Sequence, residues 1–164
     1  MAKKKQKKGA TPATLALERA GVAFSVIEFA HDPAVSSFGQ EAAEALDRDP
    51  ASICKTLLVD TDRGVGVAVV PVTGSLNLKA VAAALGAKKA AMCDPHAAER
   101  MTGYVVGGIS PIGQKKALPT VLDSSIAQLD RVLVSGGKRG FDVELAPQDL
   151  AQVTGAVFAP IARD

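Results

Sequence analysis

Apolar positions along this chain fall into two periods, and the switches between them outline its elements. Ala13, Ala16, Leu17 and Ala20 recur at helical spacing behind Thr11-Pro12, an N-cap followed by a proline suited to a first helical position, and Gly21 ends the pattern. The same period returns at Phe38, Ala42, Ala45 and Leu46 (helix 39–46, broken by Asp49-Pro50) and at Leu78, Val81, Ala82 and Leu85 before Gly86. It also predicts a helix from Asp94-Pro95 to Met101, closed by Gly103, and another from Ala146-Pro147 with Leu150 and Val153 inward. Between the helices lie short apolar runs that read as strands, at 22–28, 53–60, 65–72, 104–106, 119–122, 131–134, 141–145 and 157–161. The runs at 53–60 and 65–72 are joined by TDRG and predict a β-hairpin with Gly64 in the turn; HDP (31–33) reads as a loop. Most strands adjoin one another without regular βαβ alternation. The expected fold is therefore α/β in the α+β sense: one domain over residues 11–164, with a mixed, mostly antiparallel, barrel-like sheet flanked by helices. Residues 1–10 read as a disordered basic tail.

Composition narrows the function classes. Hydrophobic residues make up 48% of the chain, but there is no Trp and Tyr104 is the only Tyr, which disfavours a surface that stacks nucleic-acid bases. No apolar stretch approaches the ~20 residues of a membrane span, and the basic start is not followed by the apolar run of a signal peptide. Cys54 and Cys93 are far apart and lack CxxC spacing, and His31 and His96 form no metal-ligand pattern. The cysteines read as small core residues of a cytoplasmic protein, with no metal and no cofactor expected. The formal charge is +2, and removing the five lysines among residues 3–8 from that +2 leaves −3 for the rest. The tail is a solubility arm or a non-specific arm for RNA, and any polyanion affinity of the remainder has to be local.

Candidate chemistry concentrates at two glycine pairs, Gly107-Gly108 and Gly136-Gly137. Each ends a short apolar run and is followed by cations, Lys115-Lys116 and Lys138-Arg139. Glycine backbone with nearby cations suits an anion or a developing oxyanion; two hairpin turns with solvated lysines explain the same pattern. Ser110 and Ser135 lie beside the pairs, but no His is placed by sequence to activate either. Gly64 and Gly66 fall inside a strand and do not complete a dinucleotide fingerprint, and both GxxxxGK[ST] and GxSxG are absent. Lys55 interrupts the otherwise apolar run ICKTLLVD. It reads equally as a snorkelling edge lysine or as a cation at a pocket mouth with Thr56 beside it. Strand alternation puts Cys54 on the face opposite Lys55, consistent with a core thiol.

The segments TPATLAL (11–17), HDP (31–33), FGQEAAEAL (38–46), KTLLV (55–59), LNLKAVAAALGAKK (76–89), TGYVVGGISPIGQKK (102–116), VSGGKRG (134–140) and ELAPQDLAQV (144–153) occur in an order and spacing that resembles the YbaK-type Cys-tRNA(Pro) deacylases, free-standing relatives of the prolyl-tRNA synthetase editing domain. The resemblance runs from Thr11 to about Ile161. It implies a cytoplasmic hydrolase of the ester joining cysteine to tRNA(Pro), acting with prolyl-tRNA synthetase as a partner and without membrane or DNA. A near-isostere of proline cannot be strongly rejected by one binding site, which is why a second, editing site exists. The resemblance makes Lys55 the essential residue, followed by Thr56. It assigns the pocket wall to Gly107, Gly108, Ile109, Ser110 and Pro111, completed by Ser135, Gly136 and Gly137. It also implies that the substrate's own thiol attacks the ester, a lyase-like cyclisation, while Gly107, Gly108 and Ser135 stabilise the oxyanion. Relatives often carry a tyrosine two positions before His31; here it is Phe29, leaving an apolar pocket wall, with His31 or Ser135 to replace the phenol. Deacylation of alanyl or other small aminoacyl esters, and non-catalytic binding of tRNA or synthetase, are the competing readings.

Overall fold

The computed structural model describes residues 10–29 and 48–163. The basic tail, His31 and the expected helix at 39–46 lie outside these residues. Helix α1 (Pro12–Ala20) opens on a reciprocal cap: Thr14 N donates to Thr11 Oγ1 at 3.2 Å and Thr11 N to Thr14 Oγ1 at 2.9 Å. It buries Ala13 and Leu17 and ends at Gly21 in the left-handed region, φ 70°. Strand β1 (Ser25–Glu28) starts later than its apolar run, because Val22 N is taken by Leu17 O in closing the helix. The predicted hairpin forms as β2 (Cys54–Thr61) and β3 (Gly64–Pro71), with Lys55 opposite Val70 and Thr61 opposite Gly64.

The remaining elements follow in order: β4 (Ser75–Leu76), α2 (Leu78–Ala84), β5 (Ala90–Met92), α3 (Pro95–Thr102), β6 (Thr120–Asp123), β7 (Val132–Lys138), β8 (Phe141–Leu145), α4 (Pro147–Thr154), β9 (Val157–Ala159) and β10 (Ala162–Arg163). They build three sheets: five strands in the order β5-β2-β3-β6-β9, three in the order β1-β8-β7, and the pair β10-β4. The α+β class holds, but the sheet does not close into a barrel. Among the described residues a single isolated bridge, between Ile53 and Leu133, joins the five-stranded and three-stranded sheets, whose facing sides share the main core. β3 with β6 and β6 with β9 pair in parallel, so the large sheet is mixed.

Two predicted strands come out differently. Residues 104–106 form a turn, since Gly108 N donates to Val105 O at 2.8 Å and Val106 N to Glu99 Oε2 at 2.8 Å, and neither amide is left for a ladder. The run 157–161 is strand only to Ala159 (β9), and β10 begins beyond it at Ala162. Asp123 Oδ1 accepts from Ile161 N and Ala162 N at 2.9 and 2.8 Å and turns the chain away from β6 towards β4.

The main core lies where α1, β2, β3, β7 and β8 meet, and contains Leu17, Cys54, Leu58, Val69, Val134, Val143 and Leu145. A second cluster packs Val59, Val70 and Val121 against Val81 of α2. A third, smaller one holds Ile53 and Leu133 with Ile27, Phe29 and Val72. Each fully buried Val, Leu or Ile contributes about 1.5–3 kcal/mol from apolar burial. The edge contact at Ile53–Leu133 is thus a stable floor rather than a loose join.

Candidate active site

Lys55 stands on the face of β2 that carries Ile53 and Leu57, between the third apolar cluster and the second. It is half-buried, its cross-strand neighbour Val70 is fully buried, and among the described residues no carboxylate pairs with it. A cation in such a strand keeps its charge only if its head reaches polar space. Thr56 goes to the other face with Cys54 and Leu58, as period-two alternation requires. Its Oγ1 is buried and, among the described residues, no group hydrogen-bonds it. Phe29 packs on Ile53 and Leu133, so it shares the neighbourhood of Lys55, and its backbone N donates to Gly140 O at 3.0 Å.

The three-stranded sheet adds a residue that sequence reasoning missed. β8 is the central strand, and Asp142 lies opposite Ile27 on one side and Ser135 on the other, giving a cross-strand row Ile27–Asp142–Ser135. Asp142 is only 8% exposed, and burial pushes its carboxyl up to about 7. In FDVEL the apolar Phe141, Val143 and Leu145 alternate with Asp142 and Glu144, a pattern that reads as an ordinary solvent face. Only the register with β1 and β7 shows that Asp142 is covered. Cys54, by contrast, is a neutral core thiol: burial first, then the charges of Asp123 and Asp142, raise its pKa far above that of a free thiol. The Cys93 thiol is raised as well, again by desolvation before the neighbouring acids. Among the described residues no three His, Cys, Asp or Glu side chains are grouped to hold a metal.

The two glycine pairs meet. A β-bulge between Ser135 and Lys138 swings the chain towards the turn at 105–108. A Cβ on Gly108 would lie 2.6 Å from Lys138 Cα and 2.7 Å from its carbonyl carbon. Gly137 has φ +113°, and a Cβ there would sit 2.8 Å from Tyr104 Cε1. The pairs are therefore glycine because two backbones and a ring touch at this point. Thr11 Oγ1 donates to Gly136 O at 2.5 Å and Arg139 Nε to Val106 O at 2.9 Å, tying the bulge to α1 and to the turn. Ser135 Oγ accepts from Gly137 N at 3.2 Å.

The amide of Gly108 is committed to its turn, whereas that of Gly107 has no partner among the described residues. Ile109 packs against the main core, and Ser110 and Pro111 are buried. The Ser110 hydroxyl accepts from Ile112 N at 3.1 Å, so this serine shapes the loop from inside. A cavity of about 290 Å³ is lined by Pro71, Thr73, Asp123, Ser125 and Arg163 among others, and none of the sequence-predicted site residues borders it.

A mixed sheet and a small antiparallel sheet, joined at one edge and carrying a half-buried lysine, a covered carboxylate and two apposed glycine turns, define an α+β domain. The family described as "Aminoacyl-tRNA editing domain" matches residues 32–153, and this chain belongs to it. The chain is 40% identical over 162 residues, 98% of each protein, to the "Putative Cys-tRNA(Pro)/Cys-tRNA(Cys) deacylase EbsC" of Enterococcus faecalis. Among solved structures it resembles "a putative trans-editing enzyme for prolyl tRNA synthetase" with TM-score 0.82 and 26% identity, covering 93% of this chain and 96% of that one. It also resembles hypothetical protein APE2540, with TM-score 0.84 and 25% identity over 93% of this chain and all of that one.

Proposed function

We propose that this protein removes cysteine misattached to tRNA(Pro) by cleaving the ester to the terminal ribose. Family membership supports the class of reaction, and the E. faecalis relative, named for both Cys-tRNA(Pro) and Cys-tRNA(Cys), supports the amino acid rather than the tRNA as the feature read. The observation that carries the mechanism is the state of the protein's own thiols: Cys54 is held neutral in the core and Cys93 is raised too, so neither is an activated nucleophile. With no activated thiol of its own, the protein fits the route that the family resemblance implies, in which the attacking sulfur is the substrate's. Its thiol adds to the ester carbonyl, the S–C bond forms, and the bond to the ribose oxygen breaks. The thiol proton passes to Asp142, which titrates at about 7, and from there to the departing ribose oxygen. Water opens the resulting thiolactone, so the net reaction is ester hydrolysis. Lys55 supplies positive potential to the terminal phosphate or the oxyanion, and Phe29 walls the pocket. The Gly107 amide, without a partner among the described residues, is the backbone donor for the oxyanion, together with Ser135 and Gly136. Thr56, Ile109, Pro111 and Gly137 shape the surround, and Ser110 supports it from within. Prolyl-tRNA synthetase is the partner that hands over the mischarged tRNA, and the cytoplasm is the compartment where the two meet. Among the described residues no helix is long and apolar enough to cross a membrane.

The test is a panel of Cys-, Ser- and Ala-charged tRNA(Pro) with wild type and Lys55→Ala. Wild type cleaves the cysteinyl ester selectively, and Lys55→Ala loses at least a hundredfold in rate, about 2.7 kcal/mol, while still melting cooperatively. Equal cleavage of the seryl ester refutes thiol attack in favour of a water-driven deacylase. Tight tRNA binding without turnover makes the protein a binding module.

A further inference from the structure

Outside the tail, the chain carries a net charge of −3, yet the glycine contact gathers cations on one surface. Lys138 and Arg139 are exposed and sit at the tip of the β7–β8 hairpin, pressed against Gly108. Arg139 Nε reaches Val106 O at 2.9 Å across that contact. From the other side, Lys115 and Lys116 are held at the end of α3, with Lys115 N on Thr102 O at 2.9 Å and Lys116 N on Met101 O at 3.2 Å. The Lys115 Cβ is within 3.4 Å of where a Gly103 Cβ would stand. Exposed Arg100 lies on the same helix. Glu99, an acid at this turn, accepts from the amide of Val106 through Oε2. Lys115, Lys116, Lys138 and Arg139, from two distant segments, thus come together at the 103–108 turn with Arg100 nearby, on a chain that is acidic elsewhere outside the tail.

We propose that this rim is the seat of an RNA sugar–phosphate backbone, the acceptor stem leading to the ester. The inference rests on the deacylase reading above and adds where the rest of the tRNA lies. The regularly spaced phosphates of a strand suit lysines spread around a turn, each contact releasing counterions. The surface is continuous with the bulge that carries Ser135 and Gly136, so a strand bound here leads its 3′ end towards the Asp142 row.

The full-length chain is compared with Lys115→Gln/Lys116→Gln, changes at two exposed positions; Lys138 is left in place because its ammonium rests over the Phe141 ring, 4.9 Å from the centroid. Binding of uncharged tRNA is measured across a salt series, and cleavage of cysteinyl-adenosine, which lacks the stem phosphates, is measured in parallel. The expected result is tRNA affinity weakened severalfold or more and a log–log salt slope shallower by about one to two, with cysteinyl-adenosine cleavage and melting temperature unchanged. An unchanged salt slope overturns the proposal and leaves the patch to an acidic protein surface. Loss of cysteinyl-adenosine cleavage in the variant overturns it too, because the lysines would then act on the site and not on the stem. Since binding of uncharged tRNA needs no turnover, a wild-type protein that binds through these lysines but cleaves no ester fails the deacylase reading alone.

Discussion

Replacing Asp142 by Asn tests the covered carboxylate directly. Burial raises its pKa from 3.8 to about 7. Between those values the unfolded chain has released the proton while the folded chain keeps it, so stability falls as pH rises through this window. Three units at about 1.36 kcal/mol each give a penalty of about 4 kcal/mol above pH 7, and about 3 kcal/mol of it develops between pH 4.5 and 8. Asparagine does not titrate. Its unpaired amide costs about 1–3 kcal/mol at every pH, so the pH dependence of the difference is the clean readout. Urea melts of both proteins at several pH values should show Asp142→Asn gaining about 3 kcal/mol relative to wild type on going from pH 4.5 to 8. In the same pH series, kcat/KM of wild type should rise to a plateau through about 7, and the variant should lose that limb and about a hundredfold in rate. Parallel stability curves would mean that Asp142 ionises like a solvated carboxylate, and its role as proton acceptor would fall with the argument for its burial.

Gly108→Ala should cost about 1–3 kcal/mol by overpacking, because the added methyl meets Lys138 and Arg139 backbone atoms at 2.6–2.8 Å and no flexible side chain can yield; chemical denaturation measures it, and an unchanged midpoint would show that the two turns do not touch in solution. Thr56→Val replaces an orphaned buried hydroxyl with a methyl of the same shape. It should stabilise the fold by about 1 kcal/mol, and a loss of stability by thermal melting would show that the hydroxyl has a partner.

Much of the local structure was legible along the chain. Thr11-Pro12 and Gly21, and likewise Asp94-Pro95 and Gly103, mark helix ends because caps and left-handed turns depend on residues within a few positions of one another. The β2–β3 hairpin was legible for the same reason. The turn at 105–108 was not, since VV before GG looks like a strand until Glu99, from the preceding helix, takes the Val106 amide. Nor was the end of β9, where Asp123 captures the amides of Ile161 and Ala162 nearly forty residues away.

The candidate site divides along the same line. Sequence alone marked Lys55 as out of place and the glycine pairs as special, because a charge in an apolar run and a residue without a side chain are conspicuous wherever they fold. Only the tertiary structure set Gly108 against Lys138 and lined up Ile27, Asp142 and Ser135 from three strands. Alternation along a strand says which face a residue takes; which neighbours cover that face is decided by pairing between segments more than a hundred residues apart, and that pairing converted an ordinary surface aspartate into a carboxyl that titrates at about 7.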